Sequence, residues 1–103
     1  MTEIEVLRVN ILETLGKDLS NRKSAADLRN KILEHVSLTN GITELDFVGV
    51  RTLCESVADE LLAVLAVLKG PEWFRKHVSV FNLKPSHLDV VVTAYTCRKE
   101  RGI

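Results

Sequence analysis

Cysteine, proline and glycine are scarce in this sequence, and a surplus of either charge is absent. Two cysteines, Cys54 and Cys97, are too few for a disulfide scaffold. They lack Cys-x-x-Cys spacing and, with no secretion signal in view, read as reduced thiols. Fourteen Lys+Arg balance fourteen Asp+Glu. That neutrality speaks against broad nucleic-acid binding, which needs a basic surface to displace counterions. It speaks equally against a polybasic membrane anchor. The longest strictly apolar run is Leu61 to Leu68, well short of the roughly 20 residues that cross a bilayer. The N-terminus is acidic where a signal peptide is basic, so a cytoplasmic location is expected. The three histidines, His35, His77 and His87, fall into no HxxxH or HExxH pattern, and no metal site is expected. No Gly-rich phosphate loop or catalytic triad is visible. The sequence therefore reads as a non-enzyme that needs no cofactor.

What is present is enough for a fold. The 103 residues are 46% apolar, which suits one domain over residues 1–103 rather than a disordered chain. Glycines and prolines cut the chain into short blocks with no linker between them. Residues 3–12 are rich in β-branched side chains and predict a strand. Residues 13–22 predict a turn, with room for a short second strand. Ala25, Leu28, Ile32 and Val36 recur at helical spacing, with Ser24 and Asp27 as a loose capping box and Asn40-Gly41 as the stop. Ile42 to Phe47 predicts a strand closed by Gly49.

A second capping box, Thr52 with Glu55, opens a helix that runs to about Leu68. Leu53, Val57 and Leu61 lie opposite Glu55, Asp59 and Glu60 in its first half. Its second half, Leu61–Leu68, is apolar on every side, and is either buried on several faces or open to a partner. Trp73 and Phe74 belong to a short helical connector that packs on the core. Val78 to Leu83 predicts a third strand, and Pro85 with Ser86 opens the last helix, with Ser86 and Asp89 as a third box. Leu88, Val91, Val92 and Tyr95 form that helix's expected core stripe, His87 is expected on the surface, and Arg98, Lys99 and Arg101 form a solvated tail. Strands alternating with helices give an α/β fold: a small mixed sheet of three to five strands, flanked by about three helices.

The stretch Leu45 to Leu62 is the most informative. An acidic residue near a strand end, a short loop and a polar helix start follow one another. Ligands of open α/β sheets bind beyond the carboxyl ends of strands, and helix starts favour anions. Asp46, Arg51, Thr52, Glu55, Ser56 and Asp59 are therefore the candidate recognition residues, with Arg22 as a facing cation. The plainer alternative makes Thr52 and Glu55 a helix cap and leaves Asp46 and Asp59 solvated. Cys54 sits at the same helix start but has no neighbouring base, and reads as a small buried hydrophobe rather than a nucleophile.

The stretch Asp46-Phe47-Val48-Gly49-Val50, followed by Ser56-Val57-Ala58-Asp59-Glu60-Leu61, resembles the STAS-like family. These are relatives of the STAS domains of bacterial anti-sigma factor antagonists. Gly16 and Arg22 before the first helix, and Val80-Phe81-Asn82-Leu83 before the last, fit the same pattern, whereas Val57 stands where the pattern has Phe. The resemblance implies a small bacterial regulatory module that acts through protein partners such as kinase-like ATPases or sigma-regulatory proteins. Antagonists carry an Asp-Ser-Ser-Gly motif at this helix start, and here Cys54, Glu55, Ser56 and Val57 stand on it. The usual phospho-acceptor position is thus a glutamate, which leaves Ser56 as the alternative acceptor and favours a constitutive binding surface. The competing expectations are a homodimer or assembly contact through Leu61–Leu68, and a nucleotide site at the same helix start.

Overall fold

The computed structural model describes residues 3–102. In chain order the elements are β1 (Val6–Asn10), α1 (Ile11–Leu15), β2 (Asp18–Leu19), α2 (Arg22–Thr39), β3 (Ile42–Asp46) and β4 (Thr52–Leu53). Then come α3 (Glu55–Ala58), a π-helical turn (Asp59–Ala63), α4 (Val64–Lys69), α5 (Pro71–His77), β5 (Val78–Phe81) and α6 (Pro85–Arg101). The α/β fold and the small sheet agree with the sequence reading. β1, β3 and β5 form a three-stranded sheet in the order β1-β3-β5, and β2 and β4 form a two-stranded one. Every strand pair among the described residues is parallel, which replaces the mixed orientation expected. The reason is that β2 does not fold back on β1 as a hairpin. It pairs with β4, far along the chain.

Register sets the two faces of the larger sheet. Leu7, Thr43 and Val78 form one row and Val9, Leu45 and Val80 the next, and these face the core. Arg8, Glu44 and Ser79 lie between them on the other face, flanked by Val6 and Phe81, which are exposed. Period-two alternation thus leaves one face of the sheet bare of helices. The helices gather over the inner face, where the π-helical turn packs against both α2 and α6. All four apolar positions of the α2 stripe, Ala25, Leu28, Ile32 and Val36, are buried, and Asn40 ends the helix in the left-handed region at φ 54°.

Several boundaries move. The first strand stops at Asn10, whose side chain accepts the Glu13 N–H and starts α1, so the expected strand to residue 12 ends early. None of the three capping boxes forms. Asn21 caps α2 by accepting the Ser24 N–H, Thr52 belongs to β4, and α6 opens on Pro85 without a side-chain cap. Leu88 and Val92 point outward, so the core side of α6 is carried by His87, Ala94 and the half-buried Val91 and Tyr95. His87 is buried, which corrects the surface placement expected for it. Trp73 and Phe74 pack against the core, as their connector role required.

Candidate functional site

The loop between β3 and α3 is tied down along its length. Asp46 accepts from the Val48 N–H at 2.9 Å and from Asn82 Nδ2 at 2.9 Å, which joins the ends of β3 and β5. The Asn82 hydrogen bond, then the Val48 amide, hold the Asp46 carboxyl below its ordinary range. Further on, the Arg51 and Thr52 amides donate to the Lys17 carbonyl and the Cys54 amide donates to the Leu19 carbonyl. Arg51 also grips Asp18 through two hydrogen bonds, at 3.1 and 2.7 Å. The loop is therefore fixed from beneath, while Val48 remains 48% exposed and Gly49, Arg51 and Glu55 face outward. Cys54 and Ser56 are half-buried beside them.

Asp59 lies elsewhere. The residue is only 3% exposed, so it is not part of an acidic outer face, and that expectation is corrected. Arg98 Nε donates to Asp59 Oδ1 at 2.8 Å, Arg98 Nη2 donates to Oδ2, and Arg22 Nη1 adds a third bond at 3.2 Å. The adjacent Glu60 accepts from Arg22 and, at 2.6 Å, from Arg29. Arg29 also donates to the Glu60 carbonyl at 3.2 Å. Three arginines from α2 and α6 thus donate to two consecutive carboxylates on the π-helical turn, and a fourth, Arg101, lies 4.0 Å from Asp59. The Arg98 guanidinium holds the Asp59 carboxyl below its ordinary range against the effect of burial, with Arg22 adding to the same direction. Burial pushes Glu60 up, but Arg22 and Arg29 outweigh it and leave that carboxyl lowered as well.

This cluster joins α2, the π-helical turn and α6. A π turn adds one residue to the helical register and reorients the side chains that follow. Arg98 was expected in a solvated tail; it is instead a core-facing partner of Asp59. Arg29, Glu60 and Arg98 carry the cluster with Arg22 and Asp59. The local signal for Arg29 was its spacing: it stands seven residues after Arg22, two turns along one face of α2. Arg98 left no such signal, because its partner is 39 positions away.

The candidate residues therefore separate. Asp46 lies with Asn82 at the carboxyl end of the sheet, Arg51 with Asp18, and Arg22 with Asp59 and Glu60. Arg51, Glu55 and Ser56 stay together around the start of α3. An open depression of about 500 Å³ lies at the carboxyl ends of β1, β3 and β5, beside Arg8, Asn10, Glu13, Glu44, Asp46 and Asn82. Arg8 is its sole cation among the described residues, and it is bonded to Glu44 at 2.9 Å. Three carboxylates against one engaged guanidinium repel a phosphate, which removes the support for a nucleotide there. The helix start offers no better cradle, since Glu55 occupies its first turn. The apolar stretch expected as a contact surface is largely consumed: Leu61 to Leu65 are buried within the chain, and only Leu68 at its end is well exposed. No helix among the described residues is long and apolar enough to cross a membrane.

Comparison with family models, with curated proteins and with solved structures returns no match.

Proposed function

We propose that this chain is a non-catalytic, STAS-like regulatory module that binds a protein partner through the β3–α3 loop and the first turn of α3. One observation carries the reading. The loop is anchored from beneath by Asp46, by the Lys17 and Leu19 carbonyls and by the Arg51–Asp18 pair, yet it turns Val48, Arg51 and Glu55 to the outside. A rigid exposed loop has little conformational freedom to lose on binding, and an apolar side chain between charged ones supplies both area and orientation. Asp46 acts by holding the loop, Glu55 gives the surface a permanent negative charge beside the cation of Arg51, and Ser56 is the residue open to modification. The partner class is that of kinase-like ATPases or sigma-regulatory proteins in the bacterial cytoplasm, which rests on the resemblance alone.

Partner capture from the native cell lysate tests this, followed by titration of the purified partner. Val48→Glu and Glu55→Lys are expected to weaken binding at least tenfold, while Glu13→Lys, in the sheet-end depression, leaves it unchanged. Equal binding by all three variants ends the reading. So does a partner that is lost only with Glu13→Lys.

A further inference from the structure

The outer face of the three-stranded sheet has no cover. By register, Val6 and Ile42 share one row of it, Arg8 and Glu44 the next, and Asp46 and Phe81 the last. Val6, Ile42 and Phe81 take no part in the core, and Val6 and Phe81 are 37% and 46% exposed. Parallel sheets occur almost only with both faces covered, usually by helices. Here both strand pairs of the sheet are parallel, and the helices gather over the inner face alone. The last row opens into the depression at the carboxyl ends of the strands, where Phe81 stands with Glu13, Glu44 and Asp46. Arg8 answers Glu44 at 2.9 Å. Glu13 and Asp46 make no ion pair among the described residues. Both hydrogen bonds to Asp46 end on Oδ1, so Oδ2 is open to a further donor. The face thus has an apolar row at one end, and two uncompensated carboxylates beside an exposed aromatic ring at the other.

We propose that this face docks an amphipathic helix of a partner protein, laid along the strands with lysine or arginine side chains over Glu13 and Asp46. Size selects a helix: the two outer strands stand about 10 Å apart, which is the diameter of one helix with its side chains. Charge selects its sign. A second copy on this face would add two more uncompensated carboxylates and no free cation, since Arg8 is already engaged by Glu44. A nucleic acid or an anionic membrane meets the same repulsion. A basic helix neutralises both carboxylates, lays a cation against the Phe81 ring and covers Val6 and Ile42 with its apolar stripe. The contact is small, and such contacts are weak and reversible. It needs neither Val48 nor Glu55, so the inference does not rest on the function proposed above.

The test uses two synthetic helical peptides of about 18 residues with the same leucine stripe, one flanked by lysines and one by glutamates. Each is titrated into the isotope-labelled full chain and followed by NMR. The lysine peptide is expected to shift the amides of β1, β3 and β5, and the glutamate peptide to bind at least tenfold more weakly. Phe81→Asp and Glu13→Lys are each expected to weaken the lysine peptide at least fivefold, with an unchanged circular dichroism spectrum. Glu34→Lys, an equal change of charge on the exposed side of α2, is expected to leave its affinity unchanged. No binding of the lysine peptide up to about 1 mM overturns the proposal. So do equal binding of the two peptides, shifts confined to other elements, and equal weakening by Glu34→Lys and Glu13→Lys. A chain that self-associates without peptide, with the association lost in Phe81→Asp, overturns it too and assigns the face to a second copy.

Discussion

Two aspartate–arginine pairs in this molecule have nearly the same local geometry and opposite surroundings. Asp18 meets Arg51 through two hydrogen bonds on the surface, where both side chains are well exposed. Asp59 meets Arg98 in the same two-pronged way, but with the carboxylate buried and with Arg22 on its flank. Water screens the first pair and already solvates both of its partners, so the pair adds orientation to the loop and little to stability. The second carboxylate has lost its water, and the guanidinium groups are its replacement. The chemistry of the pair is therefore a poor guide to its weight. Burial decides it.

The sharpest way to break this comparison is to remove one partner from each site. Asp59→Ala leaves Arg98 facing an emptied pocket, and the expected loss is about 3–5 kcal/mol of folding stability, measured by chemical denaturation. Arg98→Met is expected to destabilise the fold by a smaller amount, because Arg22 still donates to the buried carboxylate. The double variant should recover part of the loss, because nothing charged is then left without a partner. A loss as small as that of a surface substitution would place Asp59 in solvent and undo the argument.

Acid provides the second test. The folded-state carboxyl of Asp59 is lowered by Arg98, so its contribution is fully present above the ordinary carboxylate pKa of about 3.9. It is lost as pH falls through the lower folded-state value. Glu60, also lowered, acts in the same direction. Unfolding free energy is expected to decline steadily below about pH 4. In Asp59→Asn that decline should be visibly shallower, from a lower starting stability.

Thr43 sharpens the comparison from the other side. It is fully buried on the inner face of the sheet, and its hydroxyl has no hydrogen-bond partner among the described residues. Asp59 is buried and satisfied; Thr43 is buried and not. Replacing the hydroxyl by a methyl group removes a desolvated polar atom while keeping the shape, so Thr43→Val is expected to raise stability by about 1 kcal/mol. A fall in the denaturation midpoint would mean that the hydroxyl is satisfied after all.

The same distinction explains what could be read from the sequence. Local periodicity revealed the α/β order, the buried stripe of α2 and the stop at Asn40, because each depends on residues within a few turns of one another. It also showed that Leu61–Leu68 is apolar all round, and the packing of the π-helical turn between α2 and α6 explains why. Charged residues were harder. Glu55 and Asp59 lie four apart in one acidic stretch, yet one is exposed and the other buried. Nothing near Asp59 distinguishes it, because the groups that neutralise it come from the two ends of the fold. The capping boxes have the right spacing but the wrong start points: Ser24 and Ser86 lie inside the first turns of α2 and α6, and Thr52 belongs to β4. Arg22 is expected from the sequence as a cation of the recognition surface, and the structure turns it to Asp59 and Glu60 instead. Its neighbour Arg29 was passed over, although the two share one face of the helix.

The smallest expected effect completes the comparison. Asp18→Asn removes one carboxylate oxygen from Arg51 and leaves the guanidinium in water, where it is at ease. The denaturation midpoint is expected to stay within experimental error of wild type, in low salt and in high salt. The backbone bonds from Arg51 and Thr52 to the Lys17 carbonyl, and from Cys54 to the Leu19 carbonyl, still hold the loop in place. What should change is the freedom of the Arg51 side chain. Its relaxation, followed at Nε by NMR, is expected to become faster in Asp18→Asn, whereas Arg98 should be rigid in both proteins. If Arg51 stays rigid without Asp18, the surface pair is not what orients it, and the contrast with Asp59 then lies in packing rather than in water.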